Sequence, residues 1–185
     1  MLVVGQVLAV NPASPVRGSK HSVKKGKTSV LSAEEARKLL DSIDSSSHVG
    51  LRDHALTGLM VYTFARIGAA LQMKVEDVNA QKRRSWVRLH KKGGKRHEMP
   101  CSHSLDAYLH AYIDGAGLSS NPKNNLFPTA QGRTGALTKR PMSQVDAYRM
   151  IQRRAIEAGI ATKIGNHSSL EPPLPIICVT AAGGK

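Results

Sequence analysis

Apolar positions recur at helical spacing in several stretches, separated by short polar breaks. Ser32-Ala33-Glu34-Glu35 forms a capping box, with Ser32 as N-cap and Glu35 three residues on; the pattern behind it predicts a helix to about Ile43. A second helix is predicted from about Leu51 to Tyr62, with Ala55, Leu56, Leu59, Met60 and Thr63 along one apolar face. A third, short helix begins near Arg66 and turns Ile67, Ala70 and Leu71 inward. The period then changes to two. Trp86, Arg88 and His90 alternate with Val87 and Leu89, which predicts a strand. Lys91-Lys92-Gly93-Gly94-Lys95 reads as a turn, and Arg96 to Met99 as the returning strand, closed by Pro100. Two more helices follow, Leu105 to about Ile113 and Ser143 to about Ala158. In the latter, Val145, Met150, Ile151, Ala155 and Ala158 form the expected core face, and Gly159 stands where a C-terminal cap belongs.

Both ends of the chain depart from this pattern. Residues 1–31 read as a basic linker: Asn11 to Pro15 is turn-rich, and Arg17 to Lys27 carries no acid. Such a run is either solvated and mobile or laid along a phosphate backbone. Residues 168–185 include Leu170-Glu171-Pro172-Pro173-Leu174-Pro175, which cannot continue a helix, and are nearly free of charge. The folded body is therefore expected over residues 32–167, with an unstructured tail beyond it. The predicted class is α+β, mainly α with a small antiparallel β-sheet.

Composition sharpens the picture. Only 4% of the 185 residues are aromatic against 41% hydrophobic, so the core must be aliphatic. Lys plus Arg number 27 and Asp plus Glu 13, a formal net charge of +14, and such a surface attracts polyanions, nucleic acid above all. The apolar start Met1 to Val10 is too short to span a bilayer and lacks the basic flank of a secretory signal, so no membrane role is expected. Cys101 and Cys178 provide no disulfide framework, which fits a reducing cytosol. No phosphate-binding P-loop, dinucleotide fingerprint or nucleophile elbow occurs, and the histidines show no metal-ligand spacing. Neither a metal nor a cofactor nor a small-molecule substrate is expected.

Two features point to phosphate. Between Lys82 and Arg96 the chain places Lys82, Arg83, Arg84, Arg88, Lys91, Lys92, Lys95 and Arg96 without one acid. A surface built for stability mixes its signs, so a phosphate-binding hairpin is favoured over a merely solvated one, with Arg88, Lys91, Lys95 and Arg96 as contacts. Arg66 opens a short helix among apolar neighbours, where a guanidinium either reaches for water or is held for a bidentate phosphate contact. His167, after Gly165-Asn166, is by itself no more than a structural or exposed histidine.

Gly50-Leu51-Arg52-Asp53-His54-Ala55-Leu56 and Tyr62-Thr63-Phe64-Ala65-Arg66-Ile67 resemble the opening of the tyrosine recombinase (phage integrase) catalytic domain. Trp86 to Pro100 resembles that family's β-hairpin, Leu126-Phe127-Pro128 its Leu-Phe-Pro segment, and Gly165-Asn166-His167-Ser168 the start of its His-x-x-Arg motif. The pieces stand in the family's order over roughly residues 32–168. The resemblance implies strand exchange in double-stranded DNA without metal or high-energy cofactor. A tyrosine attacks a phosphate, arginines and a histidine hold the charge on it, and a lysine protonates the departing oxygen. Carried over, Arg66 is the first arginine, Lys92 the general acid and His167 the histidine.

Departures from the pattern accompany these matches. Leu170 stands where the second arginine belongs, and Gly68, Ala69 and Ala70 occupy the stretch that usually holds an acid. The four tyrosines, Tyr62, Tyr108, Tyr112 and Tyr148, all precede the region of the family's nucleophile. Codons for Leu170 to Pro173 can be written so that another frame reads Arg-Ala-Thr, which points to a frameshift near Ser168 to Leu170. The expectation is an incomplete, inactive recombinase domain that still touches DNA, with intact recombinase protomers as partners. Two other readings remain: a non-enzymatic DNA-binding module that interferes with an intact recombinase, and a basic RNA-binding protein. The expected location is the bacterial cytoplasm, at the nucleoid.

Overall fold

The computed structural model describes residues 31–81, 84–90 and 96–162. Lys91, Lys92, Lys95 and His167, the linker over 1–30 and the tail over 168–185 lie outside the described residues.

Five α-helices, three short 3-10 helices and two small antiparallel sheets make up the described body. Helix α1 (Ala33–Asp41) starts on the expected capping box: Ser32 Oγ accepts from Glu35 N–H at 3.1 Å, and Glu35 Oε2 accepts from Ser32 N–H at 2.9 Å. It stops two residues before Ile43, because Ser42 Oγ bonds back to the Leu39 carbonyl and the chain turns there. Helix α2 (His48–Thr63) begins earlier than the apolar pattern indicates, because Ser47 caps Gly50 N–H at 3.0 Å. It is buried nearly all round, through Ala55, Leu56, Leu59 and the small Gly58, and is the central helix. A Cβ on Gly58 would stand 2.9 Å from the ring of Tyr108, so glycine is what lets α2 lie this close to α4 (His103–Gly115).

Phe64 ends α2 in the left-handed region, φ 52°, ψ 28°. For a residue with a Cβ this costs about 1 kcal/mol or more. Ala65 then turns into α3 (Ile67–Leu71), with Arg66 as N-cap. The first sheet runs β1-β2-β3, antiparallel throughout: β1 (Val78–Gln81), β2 (Arg84–His90) and β3 (Arg96–Pro100), in a register that pairs Val78 with Val87 and Leu89 with His97. Along β2 the expected alternation holds: Val87 and Leu89 are buried, whereas Trp86, Arg88 and His90 are half-buried.

A second hairpin, β4 (Pro128–Gln131) with β5 (Ala136–Pro141), was not foreshadowed by the apolar pattern. It leads into α5 (Gln144–Glu157), capped by Ser143 and closed by Gly159 at φ 64°. Gly159 N–H bonds the Ile156 carbonyl and Ile160 N–H the Ala155 carbonyl, both at 2.9 Å, the pattern of a glycine-ended helix. On α5, Met150, Ile151, Ala155 and Ala158 face inward as expected, but Val145 does not. It is 56% exposed. The inward face passes through Ala147, and two residues at about 100° each put Val145 on the opposite side.

One core joins α2, α3, α4, β2 and α5 through residues such as Leu56, Leu59, Leu71, Val87, Leu109 and Ile151. Tyr112 and Phe127 stack within it, ring centroids 5.9 Å apart, and the Tyr112 hydroxyl donates to the Leu126 carbonyl at 2.8 Å. A smaller cluster, Leu31, Leu39, Ala155 and Ala158, fastens α1 to α5. Leu31 thus belongs to the folded body rather than to the expected linker.

Candidate phosphate-binding site

The three-residue break between α2 and α3, residues 64–66, determines where Arg66 stands. Ala65 packs against the core while Phe64 and Arg66 on either side of it are exposed. Arg66 closes no helix cap with its side chain, although its carbonyl accepts from Ala69 N–H at 2.8 Å and Ala70 N–H at 3.1 Å. Among the described residues, no side-chain hydrogen bond or ion pair holds its guanidinium. The helix that it opens lies against β2 and against α5. A Cβ on Gly68 would meet the Gln144 amide at 2.9 Å, so the missing side chain at this position makes room for the start of α5.

Arg88 and Arg96 from the basic hairpin have different fates. Arg96, opposite His90 at the outer end of the described ladder, is exposed and no described side chain pairs with it. Arg88 departs from what the sequence led us to expect. Its Nε lies 2.7 Å from Glu98 Oε1 and its Nη1 3.8 Å from Asp77 Oδ1, and the Glu98 carboxylate tightens its hold on the proton. The window 82–96 holds no acid, but the fold brings one in from each side. Asp77 is buried. It accepts from Lys74 N–H at 2.9 Å and faces His90 Nε2 at 3.1 Å and 3.2 Å. The base of the hairpin is thus neutralised from within, while Arg96 at the outer end of the described ladder has no partner among the described residues.

A second charged group went unnoticed in the sequence. Asp53, fully buried, accepts from Arg52 at 2.8 Å through one carboxylate oxygen and from Arg154 at 2.9 Å through the other. Arg52 also donates to the Pro128 carbonyl at 3.0 Å, and Arg154 to Glu157 at 3.0 Å. The cluster ties α2 to β4 and to α5. Only the adjacent Arg52-Asp53 pair was visible in the sequence; Arg154 is 101 residues from its partner. Among the described residues there is no group of His, Cys, Asp and Glu able to hold a metal, and no helix is long and apolar enough to cross a membrane.

Comparison with known proteins agrees with this architecture. Residues 29–169 match the model of the phage integrase family. The tyrosine recombinase XerD of Mycobacterium leprae is 31% identical over 172 residues, covering 86% of this chain and 48% of that protein. The tyrosine recombinase XerD of Staphylococcus saprophyticus is 28% identical over 142 residues, 75% of this chain and 45% of that protein. Among solved structures, the XerH site-specific recombinase bound to its palindromic difH substrate, in a post-cleavage complex, superposes with a TM-score of 0.63 at 23% identity. That match covers 85% of this chain and 45% of the other. The XerA recombinase gives 0.60 at 23% identity, over 77% and 47%. The chain spans about half the length of the curated relatives it matches. With the family model covering residues 29–169 and the fold shared with two recombinases, the chain belongs to the phage integrase family, the tyrosine recombinases.

Proposed function

We propose that this chain is a duplex-binding part of a site-specific tyrosine recombinase, with Arg66 holding a DNA phosphate. The observation that carries this reading is the state of Arg66: exposed at the entrance to α3, with no anionic partner among the described residues, in a helix packed on the basic hairpin's sheet. A guanidinium without an internal counter-charge suits bidentate binding of an incoming phosphate. Arg96, Lys91 and Lys95 extend the contact along the backbone, Lys92 stands as general acid and His167 as the third phosphate ligand. Arg88, already paired, braces the hairpin from below. Other recombinase protomers are the expected protein partners, and the nucleoid in the bacterial cytoplasm is the expected location.

Strand cleavage by this chain alone is not expected. Tyr112 is buried, and burial keeps its phenol protonated far above neutral pH. Tyr62, Tyr108 and Tyr148 are half-buried on α2, α4 and α5. Leu170 stands at the position of the second arginine, so a pair of guanidiniums on one phosphate is not available. A nicked suicide duplex is expected to leave no protein–DNA band on a denaturing gel.

The binding test is salt dependence. Log affinity for a duplex should fall steeply with log salt, and each phosphate contact removed should lower the slope by about 0.9. Neutralising Lys91, Lys92, Lys95 and Arg96 together should flatten it markedly. An unchanged slope would move the binding to the basic segment before residue 31.

A further inference from the structure

Phe64 is held in a way that neither the backbone nor the core explains. Its φ of 52° is the one positive value among the described non-glycine residues. Glycine would adopt this conformation without the clash that a Cβ brings. A bulky side chain here would be explained if it were buried, but the residue is 42% exposed. It stands with Val145 and Ile156 as the large apolar side chains left in water among the described residues.

Its place adds the second observation. The connection between α2 and α3 is only three residues long. Ala65 packs against the core, so the residues on either side of it are turned outward together: an exposed aromatic residue and an exposed guanidinium with no partner among the described residues. An apolar face and a cation two residues apart match the repeat of a nucleic-acid strand, in which an apolar deoxyribose follows each phosphate. A protein surface that needed only charge would gain nothing from the ring.

We propose that Phe64 is a DNA-contacting residue, its ring lying against the deoxyribose next to the phosphate held by Arg66. This rests on the reading of Arg66 given above and adds a contact that carries no charge. The ring fixes where along the strand the guanidinium lands, because it fits over the sugar and not over the phosphates. Exposure is then a functional requirement, and the strained backbone is what turns the ring away from the core.

The two contacts have different salt signatures. Duplex affinity is measured by fluorescence anisotropy across a salt series for the parent, Phe64→Gly, Phe64→Leu and Arg66→Ala. Phe64→Gly should lower affinity about tenfold at every salt concentration, the factor that 1.4 kcal/mol of lost contact gives, with the slope unchanged. Phe64→Leu, still apolar and large, should recover most of that loss. Arg66→Ala should lower the slope by about 0.9. Because glycine suits the backbone, the melting temperature of Phe64→Gly should equal or exceed the parent's, so lost binding cannot be assigned to lost folding. If glycine proves too flexible to fold, Phe64→Asn, which also tolerates this conformation, takes its place. Parent-like affinity in the Gly variant, or no recovery with Leu, overturns the ring contact. An unchanged slope in Arg66→Ala overturns the phosphate reading beneath it, and the two failures are told apart by which variant is silent.

Discussion

The Asp53 cluster and the Arg66 turn both place arginines close to the central helix, yet they treat charge in opposite ways. Around Asp53, two guanidiniums, one buried and one partly buried, meet one buried carboxylate, and each guanidinium nitrogen finds an acceptor within the protein. At Arg66 the guanidinium is left in solvent without a described partner. The first arrangement serves the fold: it fastens α2 to β4 and α5 and has no charge to spare for a ligand. The second makes no side-chain bond to the described part of the fold. A strongly basic protein is therefore not uniformly available to a polyanion. The arginines open to an incoming polyanion are those without a described partner, and Arg88, held by Glu98 and Asp77 at the base of the hairpin, stands between Asp53's buried pair and Arg66.

The largest effect should come from breaking the buried side of this comparison. Asp53→Ala leaves Arg52 buried with the Pro128 carbonyl but no anionic partner, and takes from Arg154 its inner one. Removing one member of a buried charge cluster typically costs about 3–5 kcal/mol, a large part of the stability of a domain this size. Urea unfolding should show a midpoint far below the parent's, or no cooperative transition. A variant that unfolds like the parent would mean that the cluster is not structural.

How far the sequence revealed these features follows from the range of the interactions involved. The capping box at Ser32, the apolar face of α2 and the alternation of β2 are local signals, and they appear where they were expected. What stayed hidden depends on partners distant in the chain. Strand β4 is only four residues, opens on a proline and continues Thr-Ala-Gln without a β-branched or aromatic apolar residue, so its pairing with β5 is what makes it a strand. Val145 reads as apolar and thus as core, but the rotation of α5 is set by packing on the whole helix. The hairpin looked free of acid because Asp77 and Glu98 lie just outside the basic run. Of the seven proposed site residues, the structure describes Arg66, Arg88 and Arg96, and the family resemblance singled out Arg66 from the residues around it. Nothing in spacing or composition marks a buried arginine as paired.

Arg66→Ala tests the opposite side. An exposed charge with no described partner should change stability by no more than about 0.5 kcal/mol, while duplex binding weakens and loses salt sensitivity. Thermal unfolding and anisotropy on the same sample separate the two outcomes; a large drop in melting temperature would place Arg66 among the structural arginines. Glu98→Gln probes the intermediate case. It frees Arg88 from its closer carboxylate, and because that pair is solvent-accessible, stability should barely move. Binding should tighten slightly, as a cation previously matched internally becomes available to phosphate. Weaker binding instead would show that the bridge is needed to hold the hairpin in place.

The smallest expected effect concerns a group on the border between the two environments. His54 is half-buried on α2, with its ring 4.1 Å from that of Tyr108 and its Nδ1 3.1 Å from Ser45 Oγ. Burial pushes its pKa below the ordinary value of 6.5, while the Asp41 carboxylate pulls weakly the other way. A histidine with a lowered pKa in the folded state binds fewer protons there than when unfolded, so stability rises with pH. Its contribution is fully present above about 6.5 and is lost as the pH falls through the lower folded value. The ring is only half-buried, so screening keeps the effect to a fraction of one ionisation's full weight. His54→Gln removes this titration and leaves the other seven histidines in place. Between pH 7.5 and 5, the parent's melting temperature should therefore fall more steeply than the variant's. Parallel curves would mean that His54 is solvated in the folded protein as it is in the unfolded one, and would move it to the exposed side of the comparison with Arg66.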